Sequence, residues 1–477
     1  MASSSTLVSV VIPTCNRAAI LPATIDSVLG QTHPNLELIV VDDGSTDATE
    51  DVAARYRGRL RYVKQANQGV EAARREGLRV SSGRYVNFLD DDDLMAPAKI
   101  ARQVALLGAH PEMGAVHCRY HFIDRDGSWM ETTGRMPEGN VLKQLVWGCF
   151  PWSGGPLVRR ECLEQIDPCE HRDWHGDWGM WLRIALAGYQ FGCVQEPLGS
   201  YRMLRGSMID AKIANAERLV FNILEQVFSR WTMPSEIVAE RDQIYGGWHF
   251  WISCRYYIGG FWDEAKRNLA RVLALRPELR REPQMLLDLF YHDAVSPRGR
   301  VYDPLRFLAA VWEHLPPEAD FLGPYRAPLL ARLHVALALR SRAGGNHVAA
   351  VEQLREGLRL DPGILVRPDG FAGWLSSYAS SLPHLAPEAF VEAVAHDLPA
   401  SRRVRRQIRA RALADLGVTS ALRGYAEGRG VHTARSALMA LRHRPCLVLH
   451  GVRRLARSAV RLLRKALPRR ASGVRTS

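Results

Sequence analysis

From Val8 to about residue 110 two textures alternate along the chain. Short runs rich in Val and Ile are separated by longer stretches whose apolar residues recur at helical spacing, with Pro, Gly, Asn and Asp at the boundaries. "VSVVIP" (Val8 to Pro13), "LELIVVDDGS" (Leu36 to Ser45), "LRYVKQ" (Leu60 to Gln65) and "RYVNFLD" (Arg84 to Asp90) read as strands and their exits. "AAILPATIDSVLGQ" (Ala18 to Gln31), "ATEDVAARY" (Ala48 to Tyr56) and "GVEAARREGLRVS" (Gly69 to Ser81) read as the helices between them. Continuous apolar strands between helices predict an α/β domain with a mostly parallel, doubly wound sheet. Such sheets bind their ligands beyond the carboxyl ends of the strands. The polar residues gather there: "PTCN" after the first strand, "VDDGS" after the second, "DDDD" (Asp90 to Asp93) after the fourth.

From about residue 211 the strand texture gives way to amphipathic helices. "GGFWDEAKRNLARVLALRP" (Gly259 to Pro277) and "GGNHVAAVEQLREGLRLDP" (Gly344 to Pro362) align without gaps, sharing both glycines, a ladder of Ala and Leu positions and the closing proline. This resembles the second helix and exit proline of tetratricopeptide helical hairpins. The expected organisation is an α/β domain over residues 1–210, an all-α region of helical hairpins over 211–400, and a basic amphipathic tail over 401–477.

Length agrees with several domains, since 477 residues exceed what one core usually supports. No stretch approaches eighteen uncharged apolar residues, and "MASSSTLVSV" lacks a basic start and a hydrophobic signal region, so a cytoplasmic location is expected. The eight cysteines form no CxxC pair, which predicts reduced thiols rather than a disulfide framework or a structural zinc. Charge changes the picture more. Residues 401–477 carry twenty Lys and Arg against Asp415 and Glu427, a net +18, whereas the whole chain is +13. Basicity is thus a property of the tail. "SRRVRRQIRARALADL" and "GVRRLARSAVRLLRKALPRR" interleave arginines with apolar residues at helical spacing, a pattern suited to peripheral contact with the anionic inner face of a cell membrane. A nucleic-acid partner would call for a binding motif or aromatic interleaving that these segments lack. A helix packed on its neighbours is the plainer alternative.

Residues 7–208 carry four blocks in a familiar order: "VSVVIPTCNRAAILPATIDSVLGQTHPNLELIVVDDGSTDATEDVA", "NQGVEAARREGL", "GRYVNFLDDDDLMAP" and "GDWGMWLRIALAGYQF". Together they resemble the family 2 glycosyltransferases of the GT-A fold. The resemblance implies an inverting transferase that uses a nucleotide-diphosphate sugar, a UDP-sugar favoured, with a divalent metal, Mn2+ or Mg2+, and a glycan, lipid-linked or protein acceptor in cell-envelope, polysaccharide or glycoconjugate synthesis.

Within that frame Asp90 and Asp92 straddle one residue at a strand end, where their carboxylates can converge on one hard cation. Asp92 is the expected direct metal contact. Asp90 and Asp91 are candidates for the ribose or a metal-bound water, and Asp93 is expected to begin the next helix. Pro13, Thr14 and Asn16 lie in the loop that the resemblance sets against the nucleoside, with Cys15 replacing its usual aromatic. Asp42 and Asp43 can accept from a pyrimidine N–H, Asp43 by resemblance the better placed, while an Asx turn competes for one of them. Arg74 matches a family arginine near the nucleotide. An acceptor hydroxyl needs a base, and Asp177 in "HGDWGMWLRIA" is the candidate, with His175 and Asp173 as rivals and Gly176 standing where the family carries Glu. Trp147, Trp152 and Trp174 are candidate acceptor platforms, and Trp178 and Trp181 are expected in the core. Arg202 or Arg205 could meet phosphate, Leu204 standing where relatives often carry His. Two alternatives use the same sequence differently: a catalytically silent GT-A domain serving as a helical scaffold, and a nucleotidyltransferase, for which "PTCNRAA" lacks the glycine-rich, lysine-bearing loop.

Overall fold

The Val and Ile runs form the strands they predict, and their alternation divides them between two cores. In the computed structural model, which describes residues 6–166, 176–204, 213–229, 231–297, 302–365, 367, 370–381, 386–426, 436 and 439, Val8–Thr14 (β1) is buried along its whole length. Val8, Val10 and Ile12 face one core, while Val11 faces the other. β1 pairs in parallel with Leu36–Asp43 (β2) on one side and with Tyr85–Phe88 (β4) on the other, and Arg61–Gln65 (β3) adds in parallel beyond β2.

The second half of the sheet comprises Leu94–Met95 (β5), Met113–Ile123 (β6), Trp129–Thr132 (β7), Leu157–Arg159 (β8) and Gln190–Arg202 (β9). Among the described residues the order is β3-β2-β1-β4-β8-β6-β9-β5, with β7 on β6. β8 runs antiparallel to both β4 and β6, whereas β6 and β9 are parallel. The parallel winding expected from the sequence therefore holds for β1 to β4, and the sheet is mixed beyond. Helices still separate several of these strands, but the strands they join do not pair as successive parallel neighbours, so the regular βαβ pattern that made the first half readable is lost. Strand order reverses at β1, the kind of point beyond whose strand carboxyl ends ligands bind in open α/β sheets.

The helices of this part are Leu21–Leu29 (α1), Thr49–Ala54 (α2), Val70–Val80 (α3), Lys99–Ala109 (α4), Leu142–Trp147 (α5), Arg160–Gln165 (α6) and Gly176–Leu186 (α7). α3 sits unusually close to the sheet, because a Cβ on Gly77 would lie 2.2 Å from Cγ1 of Val11. One expectation is corrected here. Asp93 does not begin a helix: it is fully buried, its Oδ1 accepts the Arg202 N–H at 2.9 Å, and the chain runs on as β5 before α4 starts at Lys99. Burying that carboxylate on a backbone donor leaves none for a helix cap.

The chain divides into two compact units, Met1–Gln284 with Ser296–Asp320, and Met285–Val295 with Phe321–Ser477. In the first unit, Val220, Ile223, Leu224 and Val227 of the helix Ile213–Ser229 share one core with Val11, Val41 and Phe88 of the sheet. The change of texture near residue 210 thus falls inside a unit. Trp248 of the helix Arg241–Gly259 packs its ring 4.4 Å from that of Trp178 on α7 and donates its N–H to the Val146 carbonyl at 3.1 Å. The repeated glycines prove to be hairpin turns. Arg241–Gly259 pairs with Trp262–Leu275 in the first unit, Arg326–Ala343 with His347–Leu360 in the second, and the second glycine of each pair has positive φ, +80° at Gly260 and +82° at Gly345.

In the second unit the helix Arg402–Ala426 buries Ile408, Ala412, Leu413 and Leu416 in a core with Phe371, Leu375, Val391 and Val394. The apolar face of the first basic segment is therefore occupied within its own unit, and the second basic segment, residues 451–470, lies outside the described residues. No helix among the described residues is long and apolar enough to cross a membrane.

If Trp248 props α7, Trp248→Ala will destabilise the first unit by about 2–4 kcal/mol, near the range for truncating a large buried aromatic. A urea melt followed by tryptophan fluorescence measures it, and a loss under about 0.5 kcal/mol would contradict a shared core.

Candidate functional site

The three polar strand ends meet at one rim, but their acids do different work. After β1, Asn16 adopts positive φ (56°) and reaches across to the next loop. Its Oδ1 accepts the N–H of Thr46 at 2.8 Å and of Asp47 at 3.3 Å, and its own N–H donates to Ser45 Oγ at 2.9 Å. Asn16 is thus a clamp between the loops after β1 and β2. Pro13 and Thr14 are buried beside it.

Asp42 holds the turn after β2 by a bond three residues on rather than the two of an Asx turn, its Oδ1 accepting the Ser45 N–H at 2.7 Å while Oδ2 accepts the Tyr62 hydroxyl at 2.5 Å. Asp43 anchors the entry to α3: Oδ1 accepts from Gln65 Nε2 at 2.7 Å and Gln68 N at 2.9 Å, and Oδ2 from Gly69 N at 2.8 Å. Both are buried, and both are already well supplied with donors.

Of the acids after β4, Asp90 meets Arg74. This α3 residue is 6% exposed, and its Nη2 lies 2.6 Å from Asp90 Oδ1. Asp90 Oδ2 accepts a hydrogen bond from Ser153. Asp177, in the first turn of α7, also acts on the Arg74 charge, as does Glu71 on α3. Charges about a hundred positions apart in sequence are therefore felt at one guanidinium. Burial works against that cation, but Asp90, Asp177 and Glu71 outweigh it and hold its pKa above the ordinary arginine value.

Asp92 differs from its neighbours. Arg202 donates to its backbone carbonyl at 2.9 Å, while Arg17 and Arg202 act on its carboxylate as nearby charges. Arg17, 41% exposed, stands 3.8 Å from Asp91 Oδ1. Among the described residues no group of three or more His, Cys, Asp or Glu side chains is disposed to hold a metal ion. The donors present, Asp92 with Asp90 beside it, suit a hard cation that takes its remaining ligands from water and substrate phosphates, the usual way Mg2+ is held.

Of the acceptor candidates, Trp147 is 39% exposed at the end of α5 and donates its indole N–H to Glu240 at 3.0 Å. Trp152 is 5% exposed, its ring centroid 5.0 Å from that of Tyr120, and it fills the space a Cβ on Gly199 would need, 1.9 Å from that ring. It is a packed residue, as Trp178 and Trp181 are. Trp174, Asp173, His175 and Arg205 lie outside the described residues. Arg202 spends its guanidinium on the carbonyls of Asp92, Asp124 and Arg125. Three residues at the rim escaped the sequence reading. Arg17 directly follows the first rim loop and Glu71 precedes Arg74 by one helical turn, both legible signals; Ser153 sits where the pattern is least regular, and nothing pointed to it.

The family model "Glycosyl transferase family 2" matches residues 9–166. An uncharacterised glycosyltransferase of Nostoc sp. is 33% identical over 213 residues, which span 41% of this chain and 64% of the relative. TuaG of Bacillus subtilis, a glycosyltransferase whose name provisionally assigns it to teichuronic acid biosynthesis, is 30% identical over 224 residues, 45% of this chain and 86% of the relative. The chain spans only 34% of a longer glycosyltransferase from Rickettsia conorii, at 36% identity. Among solved structures, S. aureus TarS is similar with a TM-score of 0.41 and 14% identity, covering 75% of this chain and 55% of that one. The mannosyltransferase PcManGT of Pyrobaculum calidifontis, solved with GDP-Man and Mn2+, has a TM-score of 0.42 and 20% identity, covering 65% of this chain and 88% of that one.

Crowding leaves its mark on the rim carboxyls. Burial pushes Asp91 up to about 7, with Thr14 opposing and Asp92 adding, and burial with the Asp90 charge pushes Asp92 to about 6. Asp177 is raised as well, by burial and Asp90 against the pull of Arg74. In the unfolded chain these groups titrate near 4. The folded protein therefore binds more protons across the interval from about 4 to 7, and the cluster becomes a destabilising load as pH rises through it. With chelator present, Asp92→Asn is expected to melt a few degrees above the wild type at pH 8, and this difference should shrink by pH 5, as read by differential scanning calorimetry. A variant that melts below the wild type at pH 8 would show that Asp92 is held by attraction rather than crowded.

Proposed function

The chain belongs to the family 2 glycosyltransferases, with an α/β sheet domain of the GT-A kind, and from that premise we propose that it moves a sugar, with inversion, from a nucleotide-diphosphate sugar to an acceptor hydroxyl in cell-envelope polysaccharide or glycoconjugate synthesis. One observation carries the reading beyond family membership: Arg74 binds Asp90, at the strand end suited to a donor, and feels the charge of Asp177, at the start of a distant helix.

In this proposal Asp92, assisted by Asp90, holds Mn2+ or Mg2+. The cation, when bound, offsets charge on the diphosphate as the sugar leaves. Arg17 supplies a second positive charge at the same end of the site. The β1 and β2 loops, clamped together by Asn16, form the nucleoside wall. Asp43 has three donors already, so a nucleobase N–H would share its Oδ2 with Gly69. Asp177 takes the proton of the acceptor hydroxyl during in-line attack, and its raised pKa brings it nearer the range in which a carboxylate serves as a general base at neutral pH. Trp147, exposed and tethered to Glu240, offers a ring face on which an acceptor sugar can stack. The donor class is a nucleotide sugar, with UDP favoured. The exposed Arg402, Arg403 and Arg406 give the second unit a cationic surface able to meet anionic lipid at the inner membrane face.

A thermal-shift screen of nucleotide sugars with and without Mn2+ tests donor binding, because a ligand of the folded state alone raises its melting point. The expected result is a metal-dependent rise with one nucleotide-sugar class. Asp92→Asn and Asp177→Asn should each lower donor turnover by at least about 100-fold, the scale of general acid–base catalysis, while staying folded by circular dichroism; Asp177→Asn should keep the donor shift and Asp92→Asn should lose its metal dependence. Full turnover in either variant would sink that residue's role, and silence across the whole screen would favour a scaffold.

A further inference from the structure

We propose that Glu71 is a positioning residue for Asp177, fixing the start of α7 relative to the Arg74–Asp90 pair; the inference rests on the transferase reading above. Glu71 Oε1 accepts the backbone N–H of Gly176 at 2.6 Å, across 105 positions of sequence. That N–H is one of the amides at a helix start that have no acceptor within the helix, and a carboxylate there also meets the positive end of the helix dipole. The contact is therefore charge-assisted and directional.

Gly176 is also a flexible position. Its φ is +73°, so the chain bends through the left-handed region one residue before Asp177, and a Cβ built on it would touch nothing within 4 Å. The Asp177 carboxylate, meanwhile, takes a hydrogen bond at 2.9 Å from the next residue's N–H, Trp178. Its direction thus follows the first turn of α7 wherever that turn sits. Glu71 and Arg74 are three apart on α3 and share a face. One turn of one helix therefore grips both halves of the site, Arg74 holding Asp90 at 2.6 Å and Glu71 holding the residue before Asp177. Behind them Gly77 seats α3 against β1, so the grip is referred to the central strand.

Positioning and mere stabilisation predict different kinetics. A shift of about 1 Å in a reacting group costs on the order of 100-fold in rate. Glu71→Ala should lower kcat by about 10- to 100-fold with donor KM within about twofold. Glu71→Gln keeps an amide oxygen able to accept the same N–H, so it should recover most of that loss. A third measurement needs no donor: hydrogen exchange of the peptide beginning at Gly176 should quicken in Glu71→Ala and return toward wild type in Glu71→Gln. Wild-type kcat in Glu71→Ala, a Gln variant as impaired as the Ala variant, or unchanged exchange would each overturn the proposal. A wild-type protein that turns over no nucleotide sugar would instead count against the transferase reading, and the exchange comparison would still decide the contact.

Discussion

The site is organised by one buried cation. Arg74 sits on α3 with Asp90 from the end of β4, Asp177 from the start of α7 and Glu71 from its own helix acting on it together. A buried guanidinium without partners costs several kcal/mol, and so does a buried carboxylate. Arg74 is acceptable at this depth because Asp90, itself about a third exposed, meets it at 2.6 Å and the charges of Asp177 and Glu71 add to that attraction. Removing Asp90 would leave that guanidinium buried without its contact partner, which is the costly change at this site. The sheet end, the helix that follows β3 and the helix that follows residue 175 are thereby held to one geometry.

That geometry also depends on residues far from the rim. α7 is packed from behind by the helix Arg241–Gly259, through the pairing of Trp178 with Trp248 and the hydrogen bond from Trp248 to Val146. The helix Ile213–Ser229 adds Val220, Ile223, Leu224 and Val227 to the same core. The helical stretch after the α/β domain is thus partly structural support for the candidate base. Its sequence looks like the beginning of something separate because helix texture replaces strand texture, yet burial does not follow texture.

The legible part of this protein is where local pattern and tertiary role coincide. Strands β1, β2 and β4 are largely buried and, with the edge strand β3, alternate with helices, so period and composition expose them and their ends mark the rim. Asp42 and Asp43 look alike in sequence, but their partners, Ser45 with Tyr62 and the start of α3, are set by the fold. Asp93 looked like a helix start because acids commonly are; its inward turn answers to the backbone of Arg202, over a hundred residues away. Trp152 reads as a candidate acceptor platform because the stretch from 110 to 175 shows no clear period, and its burial against Tyr120 on β6 and Gly199 on β9 is set by the fold. In each case the deciding contact is long-range, and a local pattern carries no information about it.

α3 gathers these threads within nine residues. Gly69, at φ +92°, lets the chain turn so that its N–H and that of Gln68 can bind Asp43. Glu71 reaches α7, Arg74 reaches Asp90, and Gly77 allows the helix to approach Val11 on β1. The spacing matters: 71 and 74 share a face, and 77 falls about another turn along, so the polar grip and the close seat on the sheet lie along one side of the helix. A displacement of α3 would move the β2 loop, the β4 acids and the α7 start together. The relative placement of Asp90 and the start of α7 is therefore referred to one helix, the kind of arrangement a site needs when two substrates must meet at a set distance.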